Sequence, residues 1–324
     1  MQLTDSWITA HYLDGMGAAE KTNGHILPKD MVNDRCVWVQ LDMNEFAAQL
    51  WLREESRLPD VVVDALLADE SRPRCMAVDD GVLLNLRGVN MNPGADPADM
   101  VSIQIWGERQ LIVSTQRQRL RAVNDVEKHL HDGTGPKDVG ELLADLSNSL
   151  SERMSHVVQN INDQVDQLEE DLVDESAREN RNELKLLRRE VIRLRRYIAP
   201  QREAMAALAG ENISWVPPLE KQQIRSSADR LTLFVEEIDL VRERASIIQD
   251  ELSSDQAARM NKNMYVLAII SGIFLPLTLI TGLLGINVAG IPGADSPWAF
   301  GLVTFVLILC GVGELFLLRR LHWF

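Results

Sequence analysis

The chain is short of cysteine, with 3 in 324 residues. Cys36, Cys75 and Cys310 share no C-x-x-C spacing, and Cys310 sits in an apolar run. This argues against a disulfide framework and against a thiolate zinc site. The sequence does not open on a basic stretch followed by an apolar core. No secretory signal is therefore expected, and the large N-terminal part is expected to stay in the cytoplasm. "DGTGPKDVGE" lacks the G-K-[ST] of a phosphate loop and reads as a turn. No nucleophile–base set stands out, so an enzyme is not expected and neither is a resident cofactor. "HLH" at 129–131 invites a zinc reading, but its two histidines point apart on a helix. The pair reads as a surface helix end, and His11, His25 and His156 read as isolated surface or packed residues.

Bases are also in deficit, with 33 Lys and Arg against 48 Asp and Glu, a net charge of −15. The last 62 residues hold two acids and two bases, so the first 262 carry the whole imbalance. That argues against nucleic acid and suits a protein that gathers cations. A merely soluble surface is the plainer alternative.

Charge is wholly absent from Asn263 to Ala294. Met264 to Ile286 would make roughly 34 Å of helix, enough to cross a bilayer. A second apolar run, 298–318, is broken only by Glu314. The link between the runs is short, which predicts a hairpin of two spans. Arg259 and Lys262 precede the first span, Arg319 and Arg320 follow the second, and the link has no Lys or Arg. The positive-inside rule then puts both termini in the cytoplasm, with Trp298 and Trp323 as interfacial aromatics. One hairpin encloses no aqueous path, so a pore would need several subunits around an axis.

The expected organisation is an α/β domain over 1–135, a long antiparallel helical hairpin over 136–216 and a stalk helix over 217–263. A first span (264–286), an outer loop (287–297), a second span (298–318) and a cytoplasmic tail (319–324) follow. In the first domain "CVWVQLDM", "GVLLNLRGV", "MVSIQIWG" and "QLIVST" read as strands. Residues 44–55 and 60–70 read as helices, with Asn44 capping the first and Pro59–Asp60 starting the second. Beyond residue 135 apolar residues recur in three- and four-residue steps, the seam of packed long helices. The steps are Leu150, Met154, Val157, Ile161, Val165, Leu168, Leu172, then Leu184, Leu187, Val191, Leu194, Ile198. The first helix ends acidic and the second is basic, with "DESAREN" as the turn, so opposite charges are expected to face each other. The acidic run reads either as a cation site or as a salt-bridged, solvated face. From Pro218 nothing stops a third helix until Pro276, inside the first span. One continuous helix is predicted, about 99 Å from Lys221 to Ile286.

Stepping down that helix at its own period from Asn287 gives Gly282, Thr278, Leu275, Ser271, Leu267, Met264 and Asn261, with Asp250 further down. Small hydroxyls and amides can hold an ion's water shell, and apolar rings can gate by dewetting. Ser271, Thr278 and Thr281 can equally bond backbone carbonyls and pack helices. Asn287 stands apart, as a glycine-flanked amide at the outer end of a span. A ring of amides can grip the hydration shell of a divalent ion that is costly to dehydrate. Glu314 is an intramembrane acid, which marks it for function, but it lies five residues from Arg319 and can also snorkel or pair near the inner face.

"GIN" at 285–287, closing the first of two C-terminal spans, resembles the Gly-x-Asn signature of the CorA metal-ion transporter superfamily. The acidic α/β domain, the long helices and the cytoplasmic termini extend the resemblance over nearly the whole chain. It implies a funnel-shaped homopentamer in a lipid bilayer, with the first span lining the pore. It also implies an outer filter of Gly285, Ile286 and Asn287, with Asn287 meeting the metal through its hydration shell. Typical magnesium members read Gly-Met-Asn with an acid-bearing loop next; here the loop offers only Asp295. "GIN", "GIPG" and "WAFG", with "DESRPRC" and "RRYIAPQRE", are more similar to the ZntB-type zinc branch of bacterial inner membranes. That branch implies Zn²⁺ as substrate and proton coupling, for which Glu314 and Asp295 are the candidate relay groups. The rivals are a Mg²⁺, Co²⁺ or Ni²⁺ channel on the same scaffold and a membrane-anchored cytoplasmic sensor.

Overall fold

The structure is a computed structural model describing residues 7–24, 35–69, 72–173, 179–211, 213–286, 293 and 296–320. It divides into two compact units, 1–249 and 250–324.

The first unit is built on a seven-stranded sheet. Its strands are β1 (Ile8–Leu13), β2 (Ala19–Asn23), β3 (Val37–Asp42), β4 (Arg74–Val78), β5 (Gly81–Gly88), β6 (Val101–Gly107) and β7 (Leu111–Gln116). Their order across the sheet is β2-β1-β3-β7-β6-β5-β4. β3 and β7 pair in parallel, Val37 opposite Leu111, and the other ladders are antiparallel. β5 is buried at every position. A strand reads that way when both faces of its sheet are covered.

One face is covered by α1 (Phe46–Glu54) and α2 (Asp60–Leu67). Trp51, Leu52, Val62 and Leu66 pack there with Val37, Val39, Leu41, Leu83 and Trp106. On the other face lie α3 (Arg121–His131) and the start of α4 (Val139–Val173). A methyl group added to Gly88 would meet Leu120 and Leu150 at 2.7 and 2.8 Å, so only glycine lets these elements approach so closely. His11 of β1 reaches Glu127 of α3 at 3.1 Å. Burial would raise the Glu127 carboxyl, but His11, Lys21 and Gln40 hold it below its ordinary value.

α2 starts as its sequence predicts, with Pro59 at the cap and Asp60 in the first turn. α1 does not. Its cap is Glu45, and the Asn44 amide donates instead to Asp42 at 2.9 Å and to the Arg117 carbonyl at 2.6 Å. Asn44 thus ties the ends of β3 and β7 together. α4 begins at Asp138, which accepts the Glu141 N–H at 2.9 Å while Glu141 accepts that of Lys137 at 2.8 Å. This is a reciprocal cap of the capping-box kind.

α5 (Glu179–Gly210) and α6 (Pro218–Leu284) complete the helices of this unit, α6 running on into the second. The seams are buried at Met154, Ile161, Val165, Leu187, Val191, Leu194, Leu231, Ile238 and Val241. In α4 the step falls on Val158 rather than Val157. Gln201 of α5 is fully buried and takes the place of a missing strand. Its amide accepts the Arg87 N–H at 2.6 Å and donates to the Arg87 carbonyl at 2.8 Å, just beyond the start of β4 at Arg74.

Two acids of α4, Asp166 and Glu169, find their partner in α6. Arg244 holds Glu169 at 2.5 Å and Asp166 at 2.6 Å, while Arg195 of α5 holds Asp239 of α6 at 2.6 Å. For these two acids of α4 the partner is on a third helix, which a comparison of α4 with α5 alone does not weigh. Most of the expected turn "DESAREN" lies outside the described residues.

The second unit contains the end of α6 and α7 (Ala299–Arg320). α6 is 67 residues long, with Pro276 inside it. It is long and apolar enough to cross a membrane, and α7 carries a shorter apolar stretch, Ala299–Glu314.

Candidate functional site: the polar stripe of helix α6

The second unit is turned inside out. Leu275 is 76% exposed, Leu267 64% and Phe300 84%. Only one face of α6 is covered, at Ile269, Ile273, Pro276, Leu277 and Ile280. α7 likewise has one partly covered face, Ala299, Val303, Leu307, Cys310, Gly311 and Glu314. Both sets step by threes and fours, the period of a helix packed along one side.

The predicted stripe lies on the other side of α6. At about 100° per residue, Met264, Leu267, Ser271, Leu275, Thr278 and Gly282 centre roughly 180° from the covered face. All six are exposed, as are Asn261 and Asp250. The stripe is thus the face that one chain leaves open. Thr281, just beside it, is engaged by the backbone: its hydroxyl lies 3.1 Å from both the Leu277 and the Thr278 carbonyl oxygens. Pro276 supplies no N–H to the carbonyl of Gly272, four residues before it.

α6 ends where the signature begins. The Gly285 N–H donates to Thr281 O at 2.9 Å and Gly282 O at 3.2 Å, closing the last turn. A methyl group on Gly285 would sit 3.2 Å from Thr281 O. Ile286 follows, 48% exposed. Asn287 and Asp295 lie outside the described residues. In the loop, Gly293 takes φ 82°, a backbone state that favours glycine.

Glu314 sits on the covered face of α7, and its Oε2 is buried with no partner among the described residues. The side chain is therefore turned inward. Sequence spacing marks the acid but does not say which face of α7 is covered.

The decoys behave as surface features. His129 and His131 are exposed on either side of buried Leu130 at the end of α3. Among the described residues no group of His, Cys, Asp and Glu is placed to hold a metal ion. Burial, with Glu211 adding to it, pushes the Cys75 thiol up to about 12. That favours the neutral thiol.

Known proteins resemble this chain from end to end. A family described as "CorA-like Mg²⁺ transporter protein" matches residues 33–320. A divalent cation transporter, CmaX of Pseudomonas aeruginosa, is 37% identical over 98% of this chain and 96% of its own. The zinc transport protein ZntB of Pectobacterium carotovorum is 32% identical over 98% of this chain and 95% of its own. The solved structure of full-length CmaX superposes with a TM-score of 0.86, at 36% identity, over 99% of this chain and 100% of that one. The CorA magnesium transporter of Methanocaldococcus jannaschii shares the fold, with a TM-score of 0.80 at 17% identity over 98% of each chain. A continuous helix from the soluble unit, an outward polar stripe, a Gly-Ile-Asn close and these matches together make the chain a member of the CorA family.

Proposed function

We propose that the chain is one subunit of a homopentameric divalent-cation transporter of a bacterial inner membrane, with Zn²⁺ as its main substrate. The observation that carries this reading is the orientation of α6. Its Ser271–Thr278–Gly282 stripe is exposed and opposite the covered face. Five such stripes around one axis would line a path whose apolar rings, Met264, Leu267 and Leu275, resist wetting until opened. Residues 217–263 and 264–286 of one helix serve as stalk and first span, and 298–318 as the second span outside it. Residues 1–135 and 136–216 form the cytoplasmic domain and its helical hairpin. Arg259, Lys262, Arg319 and Arg320 hold both termini in the cytoplasm.

Gly285, Ile286 and Asn287 form the outer filter, the amide ring gripping a hydrated cation. Zinc is favoured by the Gly-Ile-Asn form, the acid-poor loop and the similarity to ZntB proteins. The buried oxygen of Glu314, without a partner among the described residues, makes it the candidate proton relay. Similarity to CmaX keeps a broader divalent range as the second reading.

Proteoliposomes test both. Zn²⁺ uptake that outpaces Mg²⁺ uptake and rises with an imposed pH gradient is the expected result. Mg²⁺ flux without Zn²⁺ flux would overturn the zinc assignment. Absence of any metal flux, or a monomer by native mass measurement, would overturn the pore and favour a membrane-anchored sensor.

A further inference from the structure

The parallel strands β3 and β7 send the chain to opposite faces of the sheet. β3 leads to α1 and α2, and β7 to α3 and α4. Neighbouring parallel strands whose connections part in this way leave a crevice at their carboxyl ends, where open α/β sheets take ligands. Here that crevice is a cleft of about 160 Å³ between Asp42 and Gln116–Arg119. It shares Arg117 and Gln118 with a larger cleft of about 480 Å³. That is within the range of pockets for small organic ligands.

The larger cleft gathers arginines in an otherwise acidic molecule. In a chain of net −15 it is lined by Arg87, Arg117, Arg193 and Arg196 against two carboxylates, Asp69 and Asp99. Arg87 is only 7% exposed; it donates to the Met100 carbonyl at 2.7 Å and lies 4.0 Å over the Tyr197 ring. Arg117 holds Asp69. Arg193 holds Asp99 at 2.7 Å and Asp96 at 2.5 Å, yet its Nε–H is buried with no acceptor among the described residues. Arg196 is exposed, 5.6 Å from the Tyr197 ring centre, with no carboxylate partner among the described residues. Asp96, and Glu190 beside Asp96 and Arg193, bring the carboxylates level with the guanidinium groups, so the opening lies in particular donors: the buried Nε–H of Arg193 and the exposed head of Arg196.

A guanidinium edge buried without an acceptor, next to a second guanidinium without a carboxylate, leaves donors open to an incoming anion. Guanidinium forks match phosphate oxygens in geometry and charge, and several around one cleft suit a multiply charged anion. We propose that this larger cleft, which adjoins the crevice of the β3–β7 pair through Arg117 and Gln118, binds a phosphate-bearing small molecule, with Arg196 and Arg193 reaching the phosphate. The transport reading does not require the site, and the site does not require that reading.

The test uses the full-length protein in detergent, freed of metal with EDTA, with ATP and inorganic phosphate as separate probes in calorimetry. Saturable binding that Arg196→Glu weakens by about tenfold or more, close to 1.4 kcal/mol, is expected. Arg196→Lys should retain most of the affinity. ATP binding tighter than phosphate assigns a nucleotide-like ligand, and equal affinity assigns the phosphate group alone; either upholds the site. Should Arg196→Glu fail to fold, Arg196→Gln carries the same comparison. No binding of either probe at millimolar concentration overturns the proposal. So does binding that a folded Arg196 variant leaves unchanged.

Discussion

The two units solve opposite problems with the same residues. In the first, leucine and isoleucine are hidden: Leu84, Leu231 and Ile238 have 0% exposure. In the second, they are displayed, with Leu275 at 76% and Phe316 at 68%. Charge follows the reverse rule, spread over the first unit and almost absent from the apolar helices of the second. Water rewards burial of hydrocarbon, whereas lipid is as apolar as the side chains and rewards only polar satisfaction and close packing. The difference between the units is therefore a difference of solvent, written along a single helix. The polar residues of the exposed stripe are the exception in the second unit and draw the functional reading to themselves.

The sharpest way to break that comparison is to shorten one leucine in each unit. Leu84→Ala, in a strand covered on both faces, should destabilise the protein by about 2–5 kcal/mol. Leu275→Ala should shift stability by less than about 0.5 kcal/mol. Denaturant unfolding of the full chain in detergent, followed by the fluorescence of buried Trp38 and Trp51, measures both. Equal losses would show that the exposed face of α6 is a core in the assembled protein.

A second test asks whether the stripe and its close are functional. Asn287→Ala should leave insertion and assembly intact and cut metal uptake by about tenfold or more, because several copies of one polar contact are lost together. Asn287→Asp should bind the ion more tightly and slow its release. Ser296→Ala, in the same loop, should change little. Unaltered Zn²⁺ uptake by Asn287→Ala would remove the filter.

The smallest expected effect concerns charge in the first unit. Arg244 holds Glu169 and Asp166, and its hydrogen bond keeps the Glu169 carboxyl below the ordinary value of 4.5. A carboxyl lowered on folding contributes stability above its unfolded pKa and loses it as pH falls through the folded one. Arg244→Ala should cost about 0.5–1 kcal/mol at neutral pH, as expected of partly exposed pairs. The gap between variant and parent should close as the medium is acidified below 4.5. A gap independent of pH would assign the loss to packing of the arginine stem.

How legible each part was depends on how locally it is determined. β3, β5, β6 and β7 are interior strands whose apolar content announces them, and α1 and α2 carry their own periodicity. β2 and β4 are edge strands, "AEKTN" and "RCMAV", mostly exposed and held by pairing with a neighbour. Nothing in their own composition marks them. Asn44 has the chemistry of a cap, but the competing acceptors, Asp42 and the Arg117 carbonyl, come from the sheet. The candidate pore stripe was readable because a helix obeys one period throughout. The arginine cleft was not: its members come from β5, the end of β7 and α5, and "RRYIAPQRE" shows only the last of these.

Helix α6 is also a mechanical part. Its 67 residues make a rod of about 100 Å. Bending strain should concentrate near Gly272 and Pro276, where one rung of the hydrogen-bond ladder is missing. A hinge there would let the turns beyond Pro276 swing while the turns before it keep their own hydrogen-bonded register.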